Sequence, residues 1–290
     1  MDNSVSKKYY TEITSKHKWY DLKLKEVWRY RDLIILFTKR HFAVTYKQTI
    51  LGPAWLFISP IVSSLIYSFV FGGIAGIGTG GVPSLLFYLS GTAIWTLFSS
   101  SLTSNSRTFT ANAGVFGKVY FPRLTVSLSN VLNSIVQFGI QMLIVVAFMV
   151  YYCIAGKVHP SWIELTYIPL VLIHLGLMGM GLGIIISSLT TKYRDLNILV
   201  SFGVSLWMYI TPVIYPLSEV EKSAVAKFLK LFIKGNPVTP PIELFRHALL
   251  GTEFSVNPWL YVWSLAFTAI VTVFGIMLFN RVERNFMDTV

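Results

Sequence analysis

The sequence predicts an all-α integral membrane protein with six transmembrane helices, an N-terminal interfacial amphipathic helix, and re-entrant extracytoplasmic helices before the last span. Three observations support this fold class. Of the 290 residues, 54% are apolar and only 13% are charged, whereas soluble domains carry about 25% charged residues. The apolar residues form runs of about 20, which is the length that crosses the hydrocarbon core of a bilayer. Lysine and arginine concentrate beside the ends of these runs.

The first element is a basic, polar N-terminal region, residues 1–53, without an apolar stretch of the kind found in secretion signals. In residues 21–51, apolar residues alternate with cations at roughly helical spacing, which predicts a helix lying in the membrane interface with its apolar face toward the acyl chains. The apolar residues of this pattern are Leu24, Val27, Trp28, Leu33, Ile34 and Phe37. A simple topological anchor is the alternative. Leu51, Gly52 and Pro53 then form an elbow, because glycine permits the turn and proline suits the first helical position. Arg40 and Lys47 lie near this elbow, at the depth of lipid phosphates.

A transmembrane domain, residues 54–280, follows the elbow. Its six predicted spans are bounded by glycine, proline or charged clusters and cover residues 54–76, 84–105, 127–155, 166–189, 196–216 and 258–280. Residues 219–251 contain two short amphipathic pieces split by "GNPVTPP". Neither piece is long enough to span, so both are predicted to be re-entrant helices held against the outer face. The tail, residues 281–290, ends the chain.

The distribution of positive charge predicts the orientation. With the N-terminus inside, 18 of the 24 lysines and arginines fall on the cytoplasmic side, and the positive-inside rule places both termini in the cytoplasm. The net charge of +11 therefore indicates anionic lipid headgroups as the partner rather than nucleic acid. The loop "GKVYFPR", residues 117–123, faces the cytoplasm between the second and third spans.

Polar residues inside the spans allow two interpretations. Asn130, Ser134, Gln137 and Gln141 form one stripe on the third span, and such amides need protein or water partners. The stripe either joins helices or lines a path for a polar substrate. On the fourth span, Gly179 and Gly183 have the GxxxG spacing typical of close helix packing, and the isolated His174 is interpreted as a packed histidine.

Several aromatic residues fall well inside the spans. Most such residues form interfacial belts or core, but aromatic faces also stack on sugar rings while allowing them to slide, so an aromatic-lined path would suit a polysaccharide.

Motifs for independent energy use or catalysis are missing from the sequence. It contains no phosphate-binding loop, no HExxH, no paired Cys/His spacing and no GxSxG. The single cysteine, Cys153, lies in an apolar run. No acidic residue lies within the predicted spans, so the carboxylates of ion-coupled transporters are also absent. A transporter of this kind takes its energy from a partner, and the cationic loop 117–123 is a plausible docking element.

The segments "YKQTILGPAW", "VYFPR", "TKYRDLNI", "TPVIYP", "NPVTPPIELFR" and "VERNFMDTV", in this order, resemble polysaccharide-exporting ABC-2 type permeases from about residue 28 to the last residue. The resemblance implies a homodimer of six-helix permeases with two cytoplasmic ABC ATPase subunits, in the inner (cytoplasmic) membrane. It also implies a cargo polymer on an undecaprenyl-pyrophosphate carrier, and no cofactor on this chain, since ATP and magnesium bind the partner ATPase. Thr45 stands where members of this family often have arginine.

The resemblance also assigns candidate site residues. The ATPase-coupling segment, 106–123, includes Phe116, Lys118, Tyr120, Phe121, Pro122 and Arg123. The gate helix over 28–50, the elbow and the interior aromatic residues supply the predicted substrate-binding set, Arg40, Tyr46, Lys47, Leu51, Gly52, Trp55, Tyr67, Trp95, Phe98, Trp207, Tyr209 and Tyr215. Arg123 joins Arg40 and Lys47 as a predicted charge partner of the pyrophosphate.

The sequence therefore predicts a permease subunit, not an enzyme, that exports a lipid-linked polysaccharide such as O-antigen. Teichoic acid or capsular polysaccharide is the alternative cargo, and a drug or small-lipid exporter is a rival within transport. An ion channel would need a charged ring or filter, which the sequence lacks. A membrane-embedded glycosyl- or phosphotransferase would need paired carboxylates, whereas Asp195, Glu243 and Glu283 are scattered over both sides.

Overall fold

The computed structural model describes residues 24–47, 49–119, 121–190, 195–222, 226–252, 254 and 256–286. Every regular element in these ranges is helical, which confirms the all-α prediction. The α-helices are α1 (Leu24–Arg29), α2 (Arg31–Tyr46), α3 (Trp55–Tyr67), α4 (Ser84–Ser106), α5 (Thr108–Phe116), α6 (Leu124–Ile154), α7 (Ile168–Thr190), α8 (Leu196–Ile210), α9 (Leu217–Lys222), α10 (Lys227–Gly235), α11 (Thr239–Leu250) and α12 (Pro258–Phe286). A 3₁₀ turn precedes α3, another precedes α7, and a π-helical segment, Ser68–Ile74, extends α3.

Five helical segments of the described chain are long and apolar enough to cross a membrane: Gly52–Ile74, Ser84–Ser106, Leu124–Ile154, Glu164–Thr190 and Pro258–Val282. They match five of the six predicted spans to within a few residues. The fifth predicted span, 196–216, was too long, because α8 ends at Ile210. Thr211 is extended, with ψ of 141°, since the ring of Pro212 disfavours helical geometry in the preceding residue.

Helix α4 forms the centre of the bundle. It packs against α3, α6, α7, α8 and α11, and 78% of its apolar window is buried, compared with 11% for Gly52–Ile74. The residues of α4 include many hydroxyls and an asparagine, which a helix enclosed by protein can pair with its neighbours. The poorly buried helices leave their apolar side chains outward, where a bilayer would cover them.

The GxxxG prediction on α7 is confirmed. A Cβ on Gly179 would lie 2.8 Å from the carbonyl oxygen of Phe98, and one on Gly183 would lie 2.6 Å from that of Leu102. The Ser101 hydroxyl also donates to the carbonyl of Gly176 across 2.9 Å. The backbones of α4 and α7 therefore approach to a distance that only glycine allows.

We expect Gly183→Ala to lower the free energy of unfolding by about 1–3 kcal/mol, the usual cost of overpacking. Gly139→Ala is the matched control, because a Cβ on Gly139 meets nothing within 4 Å and alanine favours a helix by up to about 1 kcal/mol over glycine. Thermal unfolding of the two variants in detergent should give shifts of opposite sign. Equal shifts would contradict the packing argument.

His174 is a packed histidine, as predicted. Its Nε2 lies 2.9 Å from the Thr268 hydroxyl and 3.3 Å from the Ser264 carbonyl, so the ring connects α7 to α12.

The N-terminal helix of the prediction is two helices, α1 and α2. Val27 and Ile34 were expected to face the acyl chains. They are instead buried in one cluster with Phe121, which precedes α6, and with Val131 of α6. Trp28, which belongs to the same predicted face, is exposed, and so are Ile35, Leu36 and Val44, which the prediction did not include. Because one face of α2 packs on α6 and another is exposed, α2 lies at the edge of the bundle.

The predicted elbow is present. Gly52 has φ of 53°, a left-handed conformation that side chains disfavour, and Pro53 occupies the start of the 3₁₀ turn that leads into α3. The direction of the chain changes here, between α2 and the first candidate span.

Helices α10 and α11 correspond to the two predicted amphipathic pieces, but their environments differ. Helix α10 exposes Phe228, Leu231 and Phe232, whereas α11 is buried over most of its length. The Arg246 guanidinium at the centre of α11 donates to the carbonyls of Pro212 and Val213. It lies 3.9 Å from the ring centroid of Phe87 and 3.6 Å from the Glu243 carboxylate, so it joins α11 to α4 and to the turn after α8.

Candidate functional site

Three adjoining clefts form a groove along α4. The cationic cleft, of about 530 Å³, is lined by α2, α4, α5, α6 and α8. The middle cleft, of about 470 Å³, shares Thr103 and Ser201 with it. The aromatic cleft, of about 450 Å³, shares Tyr67, Trp95 and Met208 with the middle cleft. Because residues of α4 line all three clefts, a polar ligand that moves along this helix would pass from the cations to the aromatic residues.

The cationic cleft contains Arg40, His41 and Arg107, and none of its lining residues is acidic. Burial lowers the pKa of the His41 imidazole, so the two arginines supply the positive charge at neutral pH. Arg107 Nη2 donates to the Ser201 hydroxyl across 3.2 Å, which holds the guanidinium at the boundary with the middle cleft. Amides of Asn112 and Asn130 complete a lining suited to phosphate oxygens.

Arg107 was not predicted as a site residue. The sequence shows it as a single arginine after the hydroxyl-rich run "SSSLTSNS". Its position at the end of a polar span, where the coupling segment 106–123 begins, is the signal that could have identified it.

The aromatic and middle clefts bring together five of the predicted substrate-binding residues. Tyr46, Trp55, Tyr67 and Trp95 line the aromatic cleft, and Tyr209 joins Tyr67 and Trp95 in the middle cleft. Rings therefore stand beside hydroxyls and amides, the mixture that stacks on sugar rings while bonding to their hydroxyl groups.

Other predicted residues lie elsewhere. Phe98 is fully buried, and its ring centroid lies 5.3 Å from that of Trp207 in a T-shaped arrangement. Neither Phe98 nor Trp207 lines one of the three clefts, so their positions do not support the predicted contact with substrate. Tyr215 donates its hydroxyl to the Tyr209 carbonyl across 3.1 Å, and burial raises the pKa of Tyr215 to about 12, which keeps it neutral. The elbow residues Lys47 and Leu51 are exposed, and with Gly52 they lie outside the three clefts.

The polar stripe of α6 serves both of the purposes that the sequence left open. Asn130 Nδ2 lies 3.5 Å from Asn105 Oδ1, and the Ser134 hydroxyl donates to that of Ser100 across 3.1 Å, so this half joins α6 to α4. Gln137 and Gln141 line the aromatic cleft, and the buried Oε1 of Gln141 has no hydrogen-bond partner among the residues that the structure describes. This half offers polar groups to the groove.

The predicted coupling segment, 106–123, contains α5 and the turn after it. Phe116, Phe121 and Arg123 are buried, and the Arg123 guanidinium lies 5.1 Å from the ring centroid of Phe116. Arg123 is thus placed as a support of the turn rather than as a charge open to pyrophosphate.

The outer part of the same turn is accessible. Lys118 and Val119 are exposed, and Pro122 is half-buried. Tyr120 lies outside the described residues. A protein that docks on this turn would meet Lys118 and Val119, while the buried residues would transmit its movement to α6.

Comparison with known proteins gives a consistent result. Residues 32–250 match the family model described as "ABC-2 type transporter". Two proteins of Klebsiella pneumoniae named "O-antigen export system permease protein RfbA" are 30% and 31% identical to the chain, in each case over 89% of the chain and 94% of the relative. A protein of the same name from Myxococcus xanthus is 27% identical over 74% of the chain and 79% of the relative. The chain belongs to the ABC-2 type transporter family.

Proposed function

We propose that this chain is the transmembrane permease subunit of an ABC exporter that moves a lipid-linked polysaccharide, such as O-antigen on undecaprenyl pyrophosphate, across the inner (cytoplasmic) membrane. The observation that carries the proposal is the row of three clefts along α4, from the cationic cleft to the aromatic cleft, in which neighbouring clefts share lining residues. The names of the relatives from Klebsiella pneumoniae and Myxococcus xanthus support the cargo class.

In this proposal the arginines of the cationic cleft, with Lys47 at the elbow, attract the pyrophosphate. The sugar units then pass over the rings of the middle and aromatic clefts. The charged groups of the cationic cleft would bind the pyrophosphate specifically, whereas the rings of the other two clefts would let the sugar units slide. This combination suits a long polymer, which must be recognised at entry and then move.

The proposed assembly contains two copies of this permease and two ATPase subunits. Helix α8 is the sixth span of each copy, both termini are cytoplasmic, and α10 and α11 are re-entrant on the extracytoplasmic side. ATP and magnesium bind the partner ATPase, whose closure acts on the α5 turn at Lys118 and Val119. The position of Glu243 beside Arg246 inside the protein argues against the transferase alternative, since that carboxylate is already committed to a structural partner.

The function is tested by export in cells that lack their own permease. Export should be restored only when this chain is expressed with an ATPase subunit, and the two should co-purify. A chain that acts fully without any ATPase would overturn the proposal.

The proposed topology predicts the side from which two lysines are accessible. Lys118 and Lys157 are both exposed, but they lie at opposite ends of α6. In a Cys153→Ser background, Lys118→Cys should react with a membrane-impermeant maleimide only in inverted vesicles, and Lys157→Cys only in intact spheroplasts. Labelling of Lys118→Cys from outside would leave no cytoplasmic ATPase able to reach this turn.

A further inference from the structure

A further cavity lies outside the groove. It has a volume of about 730 Å³, opens to the surface, and is lined by α4, α7, α8 and α10 with the turn that follows α10. This volume lies within the range of about 300–1,000 Å³ found for small-molecule sites. Val200, Gly203 and Ile210 put one face of α8 into the cavity, whereas Ser201, Ser205 and Tyr209 put another face into the middle cleft.

The lining of this cavity is almost entirely hydrocarbon, and its polar side chains already have partners. Trp207 Nε1 donates to Asn236 Oδ1 across 3.2 Å, and Asn236 Nδ2 donates to the Thr211 hydroxyl across 2.9 Å. The Gly235 carbonyl accepts a hydrogen bond from Trp263 Nε1 across 3.2 Å. Water inside would find few partners, so the ligand that fits is a hydrocarbon chain.

The cavity is bordered by a cationic amphipathic helix. Helix α10 contributes Phe228, Leu231 and Phe232 to the lining, although these side chains are also 77%, 70% and 54% exposed. The same helix carries Lys227, Lys230 and Lys234. Such a pattern is typical of helices that lie in the membrane interface, with the apolar face against acyl chains and the cations toward headgroups.

Only part of this positive charge is neutralised by the protein. Lys234 Nζ lies 2.5 Å from Glu221 Oε1, and Lys230 Nζ donates to the Glu221 backbone carbonyl across 2.8 Å. Lys227 has no ion pair with any residue that the structure describes. The charge at the amino-terminal end of α10 is therefore complementary to an anionic headgroup.

We propose that this cavity binds one acyl chain of an anionic membrane phospholipid whose phosphate lies over Lys227. A second copy of the chain is a poorer occupant, because a two-fold axis at this surface would bring the three lysines of α10 against the same three lysines. The inference depends on insertion in a membrane and not on the identity of the exported cargo.

The cavity can be filled from Gly203, because a Cβ at this position meets no heavy atom within 4 Å. We expect Gly203→Trp to weaken the binding of phosphatidylglycerol to the full-length protein at least about tenfold, since the indole displaces several methylene groups. Titration of detergent-purified protein, with bound lipid counted by native mass spectrometry, measures the effect. Gly139→Trp is the matched control, since Gly139 is likewise unobstructed and lies on α6, away from the cavity.

The headgroup is tested separately with Lys227→Gln. This variant should bind phosphatidylglycerol about fivefold more weakly, the factor expected for one cation beside an anionic surface, and should bind phosphatidylcholine of the same chain length as the wild type does. Gly203→Leu provides a smaller filling if the tryptophan variant fails to fold.

Three results would overturn the proposal. Wild-type affinity for phosphatidylglycerol in folded Gly203→Trp or Gly203→Leu protein would show that no acyl chain uses the cavity. A wild-type protein that retains a polyprenyl phosphate but not phosphatidylglycerol would assign the cavity to the carrier lipid. A change of oligomeric state in Gly203→Trp with unchanged lipid binding would assign it to a second copy.

Discussion

Arg246→Met is expected to lower the free energy of unfolding by about 3–5 kcal/mol, the range measured when one partner of a buried ion pair is removed. The guanidinium is almost completely buried, and its Nη1 and Nη2 satisfy the carbonyls of Pro212 and Val213. Methionine keeps much of the apolar stem but donates no hydrogen bond. The carboxylate of Glu243 and two backbone carbonyls would therefore lose their partner in the interior.

Lys234→Met is the matched control for this prediction, because it breaks an ion pair on the neighbouring helix α10. Lys234 and Glu221 are 2.5 Å apart, but both side chains are more than a third exposed. Exposed pairs contribute about 0.2–1 kcal/mol, so the control should unfold close to the wild-type temperature. Equal losses in the two variants would show that Arg246 does not join α11 to α4 and to the turn after α8.

The pH dependence of the Arg246→Met deficit identifies its cause. Burial raises the pKa of the Glu243 carboxyl from its ordinary value of 4.5, and Arg246 opposes this rise. Without Arg246 the folded-state pKa rises further, so the ionised carboxylate destabilises the folded protein above the ordinary carboxyl pKa. The deficit should therefore shrink as the pH falls through the ordinary carboxyl pKa of 4.5, because Glu243 is neutral in both the folded and the unfolded state below this pH.

Local features of the fold could be predicted because each depends on neighbouring residues. Five spans are visible as apolar runs, and the elbow at Gly52 follows from a glycine and a proline in sequence. The glycine spacing on α7 likewise identifies a close contact, although it does not identify α4 as the partner. The length of α8 was misjudged because the apolar residues continue to Tyr215, while the backbone responds to Pro212.

Burial was the feature that the sequence could not supply. Arg246 was counted as an outside loop cation, and nothing local distinguishes it from an exposed arginine. Phe98 and Tyr67 are both aromatic residues within predicted spans, yet one is enclosed between helices and the other lines the groove. Whether an aromatic side chain is enclosed or lines the groove depends on how the other helices pack around α4, and the sequence of a single span does not contain this information.

The cationic cleft shows the same limit for the site. Arg40 lies on α2, whereas Arg107 lies between α4 and α5, and only packing around α6 brings them to one cavity. Thr45 also lines this cavity, so the position where the family often has arginine faces the same space here. In this chain, two other arginines supply the charge at that place.

Removal of both arginines from the cationic cleft is the second large effect that we expect. A hydrogen bond to a charged group contributes about 1.5–3 kcal/mol, which corresponds to about a 10- to 100-fold loss of export for Arg40→Gln or Arg107→Gln. If both guanidinium groups hold one pyrophosphate, the double variant should lose more than either single variant. Arg31→Gln is the control, because Arg31 is exposed on the same helix as Arg40 and lies outside the cleft.

Export of the glycan to the cell surface is the measurement, with co-purification of the ATPase as the test that the complex assembles. Both substitutions should leave assembly unchanged, because Arg40 is exposed and the Arg107 guanidinium donates its hydrogen bond to a single hydroxyl, that of Ser201. Arg107→Lys keeps the charge without the planar fork that suits phosphate oxygens, and it should recover only part of the export.

Lys47→Gln then decides where the pyrophosphate enters. Lys47 is exposed at the elbow and lies outside the cleft, so a loss confined to Lys47→Gln would place the first contact at the elbow and remove the role of the cleft. A loss of export in Lys47→Gln and in the arginine variants would indicate a path in which the cargo meets the elbow first and the cleft next. Arg40 on α2 and Lys47 at the C-cap of this helix are about two helical turns apart. Wild-type export in the double arginine variant would contradict the path altogether, because export would then need neither guanidinium group of the cationic cleft.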